Sequence, residues 1–72
     1  MTYRRLYFTI QTLVRTGLEK INVLGLEEAQ QDVRQIFNMC LELVRFWEGE
    51  LTEEQYDDLT DIIAELPILK EV

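Results

Sequence analysis

Apolar residues recur along this chain in steps of three and four. The clearest run is Leu26, Ala29, Val33, Ile36, Phe37, Cys40, Leu43, Val44 and Trp47. That spacing places side chains on one face of an α-helix. Neither glycine nor proline interrupts it, so the pattern predicts a long helix over 26–48. A second series, Tyr3, Leu6, Tyr7, Ile10, Leu13, Val14, Gly17, Ile21 and Leu24, predicts a helix over 3–24 with Thr2 as its N-cap. The periodicity crosses Gly17 without a change of phase. That favours one continuous helix over a break at Thr16 and Gly17, although an internal glycine costs about 1 kcal/mol against alanine.

Gly25 separates the two series and suits a left-handed C′ position. Glu27 and Glu28 then fall in the first turn of the second helix, against its positive end. So short a link predicts an antiparallel hairpin. Thr52, Glu53, Glu54 and Gln55 form a capping box, with Leu51 and Tyr56 placed as a hydrophobic staple. A third helix is predicted over 53–66, with Tyr56, Leu59, Ile62, Ile63 and Leu66 on its buried face. Pro67 stops it. A short apolar tail, 67–72, follows. The reading is all-α: a long helical hairpin plus a shorter third helix, in one domain over 1–72.

Lengths set the next expectation. At 1.5 Å per residue the first two helices span about 33 Å each and the third about 21 Å. The third helix can therefore cover only the half of the hairpin farther from Gly25. Gly17, Leu18, Ile21, Leu24, Leu26, Ala29 and Val33 are left as an uncovered strip. Either the tail residues Ile68, Leu69 and Val72, on a segment that reaches roughly 20 Å, or a second molecule must close it, and both are expected to contribute. Phe8, Leu18, Met39, Leu41 and Phe46 lie off the main stripes and widen the apolar surface further. A twofold-related copy is the economical neighbour. The expectation is a homodimer or higher oligomer, with Gly17, Leu18, Ile21, Leu26 and Val33 as interface candidates.

Composition narrows the function. A chain of 72 residues buries only about 60% of its unfolded surface and commonly needs a staple. One cysteine, Cys40, permits no internal disulfide, and there is no histidine. Cys40 lies on the apolar stripe and reads as a small core hydrophobe. The absence of histidine removes Ser–His and Cys–His pairs, phosphorelay, and the usual nitrogen ligand of zinc, copper or iron. The three glycines stand apart at 17, 25 and 49, so there is no phosphate loop. No calcium loop exists either, because Asp57, Asp58 and Asp61 fall on a helix. The expectation is no enzyme, no metal and no cofactor. Without a signal h-region or a run of roughly 20 apolar residues, the expected setting is cytoplasmic, away from membranes.

The net charge is −7, which argues against nucleic acid. It is unevenly spread. Residues 1–25 carry a net +3 through Arg4, Arg5, Arg15 and Lys20, whereas 26–66 carry −10. Glu54, Asp57, Asp58, Asp61 and Glu65 form one acidic stripe on the third helix. The bland reading is a solvated face. The functional reading is a docking surface for a basic protein partner, in its extreme form a nucleic-acid mimic or inhibitor. The main expectation is a small acidic protein that acts through protein–protein contact, as a regulatory or accessory subunit.

Overall fold

A computed structural model describes residues 2–69, and among them there are three α-helices and no strand. Helix α1 runs Tyr3–Leu24 without a break at Gly17. Thr2 caps it, its Oγ1 accepting the Arg5 N–H at 3.4 Å. Helix α2 runs Leu26–Trp47 with Glu27 and Glu28 in its first turn and Arg45 in its last, each charge opposing the local end of the helix dipole. Glu48 belongs to a 3₁₀ turn, Glu48–Glu50, rather than to α2.

Gly25 alone connects α1 to α2. Its N–H donates to Ile21 O at 2.8 Å and its carbonyl accepts from Ala29 N at 3.0 Å, so one residue ends one helix and begins the next. Its φ of 89° and ψ of 159° differ from the left-handed cap expected from the sequence. A single residue that must reverse the chain needs an extended ψ, and positive φ with extended ψ is essentially a glycine conformation.

Helix α3 runs Glu53–Ile63. The capping box is formed, with Thr52 N donating to Gln55 Oε1 at 3.0 Å and Gln55 N donating to Thr52 Oγ1 at 3.1 Å. The helix stops three residues short of Leu66, the predicted end. Pro67 disfavours helical geometry at Leu66, and the last turn tightens through 3₁₀ bonds from Glu65 N to Ile62 O and from Leu66 N to Ile63 O.

The buried core joins Leu6, Ile10 and Val14 of α1, Ala29, Val33, Ile36, Cys40 and Val44 of α2, and Leu59, Ile63 and Leu66 of the third segment. Here the expected uncovered strip needs correction. Gly17, Ala29 and Val33 are buried within the single chain. At Gly17 the cover is Leu66: a Cβ there would lie 2.8 Å from Leu66 Cδ2 and 3.6 Å from Ile36 Cδ1, while Ala29 and Val33 belong to the common core. The residues after α3 turn across the hairpin, and Ile68 packs on the core. Leu18 and Leu24 stay exposed, while Ile21 and Leu26 are half-buried. Leu41, expected as surplus surface, is half-buried against the core. Val72, assigned with Ile68 and Leu69 to the closing tail, lies outside the described residues.

Two stability tests follow. Gly25→Ala, in open space but at positive φ, should destabilise by about 1–3 kcal/mol of backbone strain, read by urea unfolding. Gly17→Ala should stabilise the chain by about 1 kcal/mol only when Leu66 is also Ala, because the helix-propensity gain is otherwise offset by crowding against Leu66. A double-mutant cycle with no coupling would show that the two residues do not crowd each other.

Candidate interaction surfaces

Pro67, Ile68 and Leu69 have no regular secondary structure, yet their backbone is held. The Gln30 carboxamide donates through Nε2 to Pro67 O at 2.9 Å and accepts through Oε1 from Leu69 N at 2.8 Å. Arg34 donates through Nη2 to Leu69 O at 2.7 Å, a charge-assisted bond and so among the stronger kind. Gln30 and Arg34 are one turn apart and lie along the same face of α2. Gln30 is only 8% exposed. Neither residue stands out as functional in the sequence. The available signal is a glutamine inside an apolar series, Leu26, Gln30, Val33 and Phe37, where a fourth aliphatic residue would fit the spacing.

Of the five interface candidates, Gly17 and Val33 are inaccessible to a partner in this fold, because Leu66 and the core cover them. Leu18, Ile21 and Leu26 keep partial exposure. Val23, 81% exposed, and Leu24, 45% exposed, lie beside them near Gly25, and further large exposed apolar side chains lie elsewhere. Phe46 is 77% exposed, Phe8 67% and Met39 44%. Met39, Glu42, Leu43 and Phe46 line one shallow groove on α2. Met39 follows Gln30 by nine residues, two and a half turns, so this groove faces away from the side where the tail lies. Phe46 also stacks edge-on against Trp47 at 5.0 Å between ring centres. On α1, Phe8 stands between core residues Leu6 and Ile10 and points outward, beside Arg4, Arg5 and Thr9.

Glu54, Asp57, Asp58, Asp61 and Glu65 are all exposed. Among the described residues they make no ion pair. The cross-hairpin pair is Lys20 Nζ to Asp32 Oδ2 at 3.1 Å, half-exposed on both sides and worth about 0–1 kcal/mol. The stripe does reach α1 through its field. Burial pushes the Tyr3 phenol up, and the charges of Asp58, Tyr7 and Glu54 push it further. Arg4, Arg5 and Arg15 point into water.

The chemistry on offer is small. Cys40 is fully buried, and burial pushes its thiol up to about 11, the opposite of what a nucleophile needs. Among the described residues no group of three Cys, Asp or Glu side chains is placed to hold a metal, and no helix is long and apolar enough to cross a membrane. What the fold and surface define is an all-α arrangement of three packed helices, with a backbone clamp and with shallow, mainly apolar grooves on both α1 and α2. Comparison with protein-family models, with characterised proteins and with solved structures finds no match.

Two measurements test the clamp and the buried thiol. Gln30→Ala should lower stability by about 1–2 kcal/mol, two net hydrogen bonds, and should speed exchange of the Leu69 amide ahead of the core amides. Cys40 should resist alkylation until the chain unfolds. A thiol whose folded value is raised stabilises the fold below its unfolded value near 9.0, and that contribution is lost as pH rises towards about 11. The alkylation rate should therefore climb steeply over that window and be slow beneath it.

Proposed function

We propose that this protein acts by protein–protein contact, as a regulatory or accessory subunit in the cytoplasm, and carries out no reaction of its own. One observation supports this above the others: Met39, Leu43 and Phe46 line an apolar groove on the side of α2 turned away from the tail. Scattered exposed apolar residues are ordinary. Aromatic and Met side chains gathered on one helix face are the composition of protein-contact cores. The reading includes self-association, two copies laying these faces together about a twofold axis. A twofold contact is self-complementary, so one apolar face per chain is enough.

A second reading rests on the exposed carboxylates of α3, which have no ion-pair partner among the described residues. They would dock on a basic site of another protein, as a nucleic-acid mimic does. Salt separates the two readings, since attraction between exposed charges weakens steeply with ionic strength while apolar contact does not.

Light scattering at tens of micromolar chain should give a dimer or larger. Met39→Glu with Phe46→Glu should return it to a monomer with helicity and unfolding midpoint unchanged. Reversing Asp57, Asp58 and Asp61 to Lys should leave self-association intact. A wild-type chain that scatters as a monomer at every concentration would exclude self-association at this face.

A further inference from the structure

The ion pair of Lys20 with Asp32 marks one broad side of the hairpin, and the helical repeat carries that side along both helices. Counting back from Lys20 at 100° per residue, Thr16, Thr9 and Arg5 return to within about 60° of its direction. Counting on from Asp32, Met39, Leu43 and Phe46 return to within about 40°. The rest of the chain lies on the other side. Gln30, which holds the tail, points about 160° away from Asp32. Tyr7 and Gln11, which share a groove with Ile62 and Glu65 of the third segment, point about 140° and 180° away from Lys20.

Height is set by the cross-hairpin neighbours. Lys20 meets Asp32 and Gly17 faces Ile36, so Phe8 stands level with Val44 or Arg45. The α1 groove of Arg4, Arg5, Phe8 and Thr9 and the α2 groove of Met39, Glu42, Leu43 and Phe46 therefore open at one end of the molecule, within about a turn of each other. Arg5 and Thr9 bring the first onto the same side as the second. Guanidiniums rim the α1 groove and a carboxylate rims the α2 groove. Among the described residues none of these three charges has an ion-pair partner.

Resting on the self-association proposed above, we infer that the second copy docks about a twofold axis running along the helices. The α1 groove of each copy then lies over the α2 groove of the other, with Arg4 and Arg5 facing the partner's Glu42. Such an axis exchanges the two helices of the hairpin face to face and preserves height, so the grooves and the opposite charges meet in register. An axis across the helices would stack α1 on α1 and set arginine against arginine. The result is a four-helix layer with α3 of each copy on the outside. Apolar contact of Phe8, Met39 and Phe46, all exposed in the single chain, supplies the affinity. The charges select which helix lies on which, since exposed pairs contribute little while like charges brought together are costly.

The test measures dimer dissociation of the full chain by sedimentation. Arg4→Glu with Arg5→Glu, and separately Glu42→Arg, should each weaken the dimer at least about tenfold, because each sets like charges together in both symmetric contacts. Helicity should not change, as all three positions are exposed. Mixed in equal amounts, the two variants should regain wild-type affinity as a heterodimer, in which one contact holds the reversed pair and the other the native pair. Wild-type affinity in either variant alone would overturn the inference. So would a mixture no tighter than its components, which would place the pairing within one chain. In both cases Met39→Glu with Phe46→Glu should still disperse the dimer, leaving self-association at this face standing. A wild-type chain that is monomeric at every concentration would overturn the inference together with the reading beneath it. Should a reversal lose helicity, Arg4→Gln with Arg5→Gln should be non-additive with Glu42→Gln in a double-mutant cycle of dimer affinity, and additivity would overturn the inference.

Discussion

Leu66 resting against the bare backbone of Gly17 is the contact on which the closing of this small fold depends. It settles a competition between two modest free energies. A glycine inside α1 costs about 1 kcal/mol of helix propensity. Fully burying a leucine contributes about 1.5–3 kcal/mol. Burial of the leucine outweighs the loss at the glycine, and the helix tolerates its weak point because that point is a socket. From the socket the rest of the closure follows. Leu66 is drawn out of helical geometry just ahead of Pro67, the chain leaves the α3 axis, and its backbone arrives alongside Gln30 and Arg34. A strip that α3 is too short to reach becomes core at Ala29 and Val33.

That same contact marks where the sequence stops being informative. The local signals are strong and the helices obey them. The three-four spacing carries α1 through Gly17, the reversal comes at Gly25, and Thr52 with Gln55 closes a capping box. Each of these depends on residues within a few positions of one another. The bonds from Gln30 to Pro67 and Leu69 join residues 37 and 39 apart in sequence, and no local pattern announces them. Chain length alone makes the tail able to close the strip. What is not legible is that Leu66 itself covers Gly17, since its spacing makes it the last residue of a helix face. The conformation at Gly25 escapes for a related reason: a positive φ is legible in a glycine, whereas ψ depends on where the next helix must go.

The candidate surface divides along the same line. Spacing alone puts Glu54, Asp57, Asp58, Asp61 and Glu65 on one helix face; each is exposed, but Glu65 lies past the end of α3 at Ile63. Exposure cannot be read from spacing where a distant segment folds over, which is why Gly17 and Val33 are interior while Leu18 keeps contact with water. Off-stripe residues behave individually. Leu41 finds the core, whereas Phe8, Met39 and Phe46 do not. The electrostatics are correspondingly loose. The arginines of α1 and the carboxylates of α3 are exposed and, among the described residues, form no ion pair, so packing rather than ion pairs holds α3 in place.

The junction at Gly25 has a mechanical consequence. With both its amide and its carbonyl engaged in helical bonds, there is no slack between α1 and α2. Neither helix can slide along the other by a turn without unwinding its own end, so relative motion reduces to a hinge-like splay pivoting on one residue. Such a splay opens widest at the end far from the pivot, where α3 begins, and least near the socket at Gly17. At that end Leu6, Val44 and Leu59 are buried in the common core, and their packing is what holds α3 to the hairpin against such a splay.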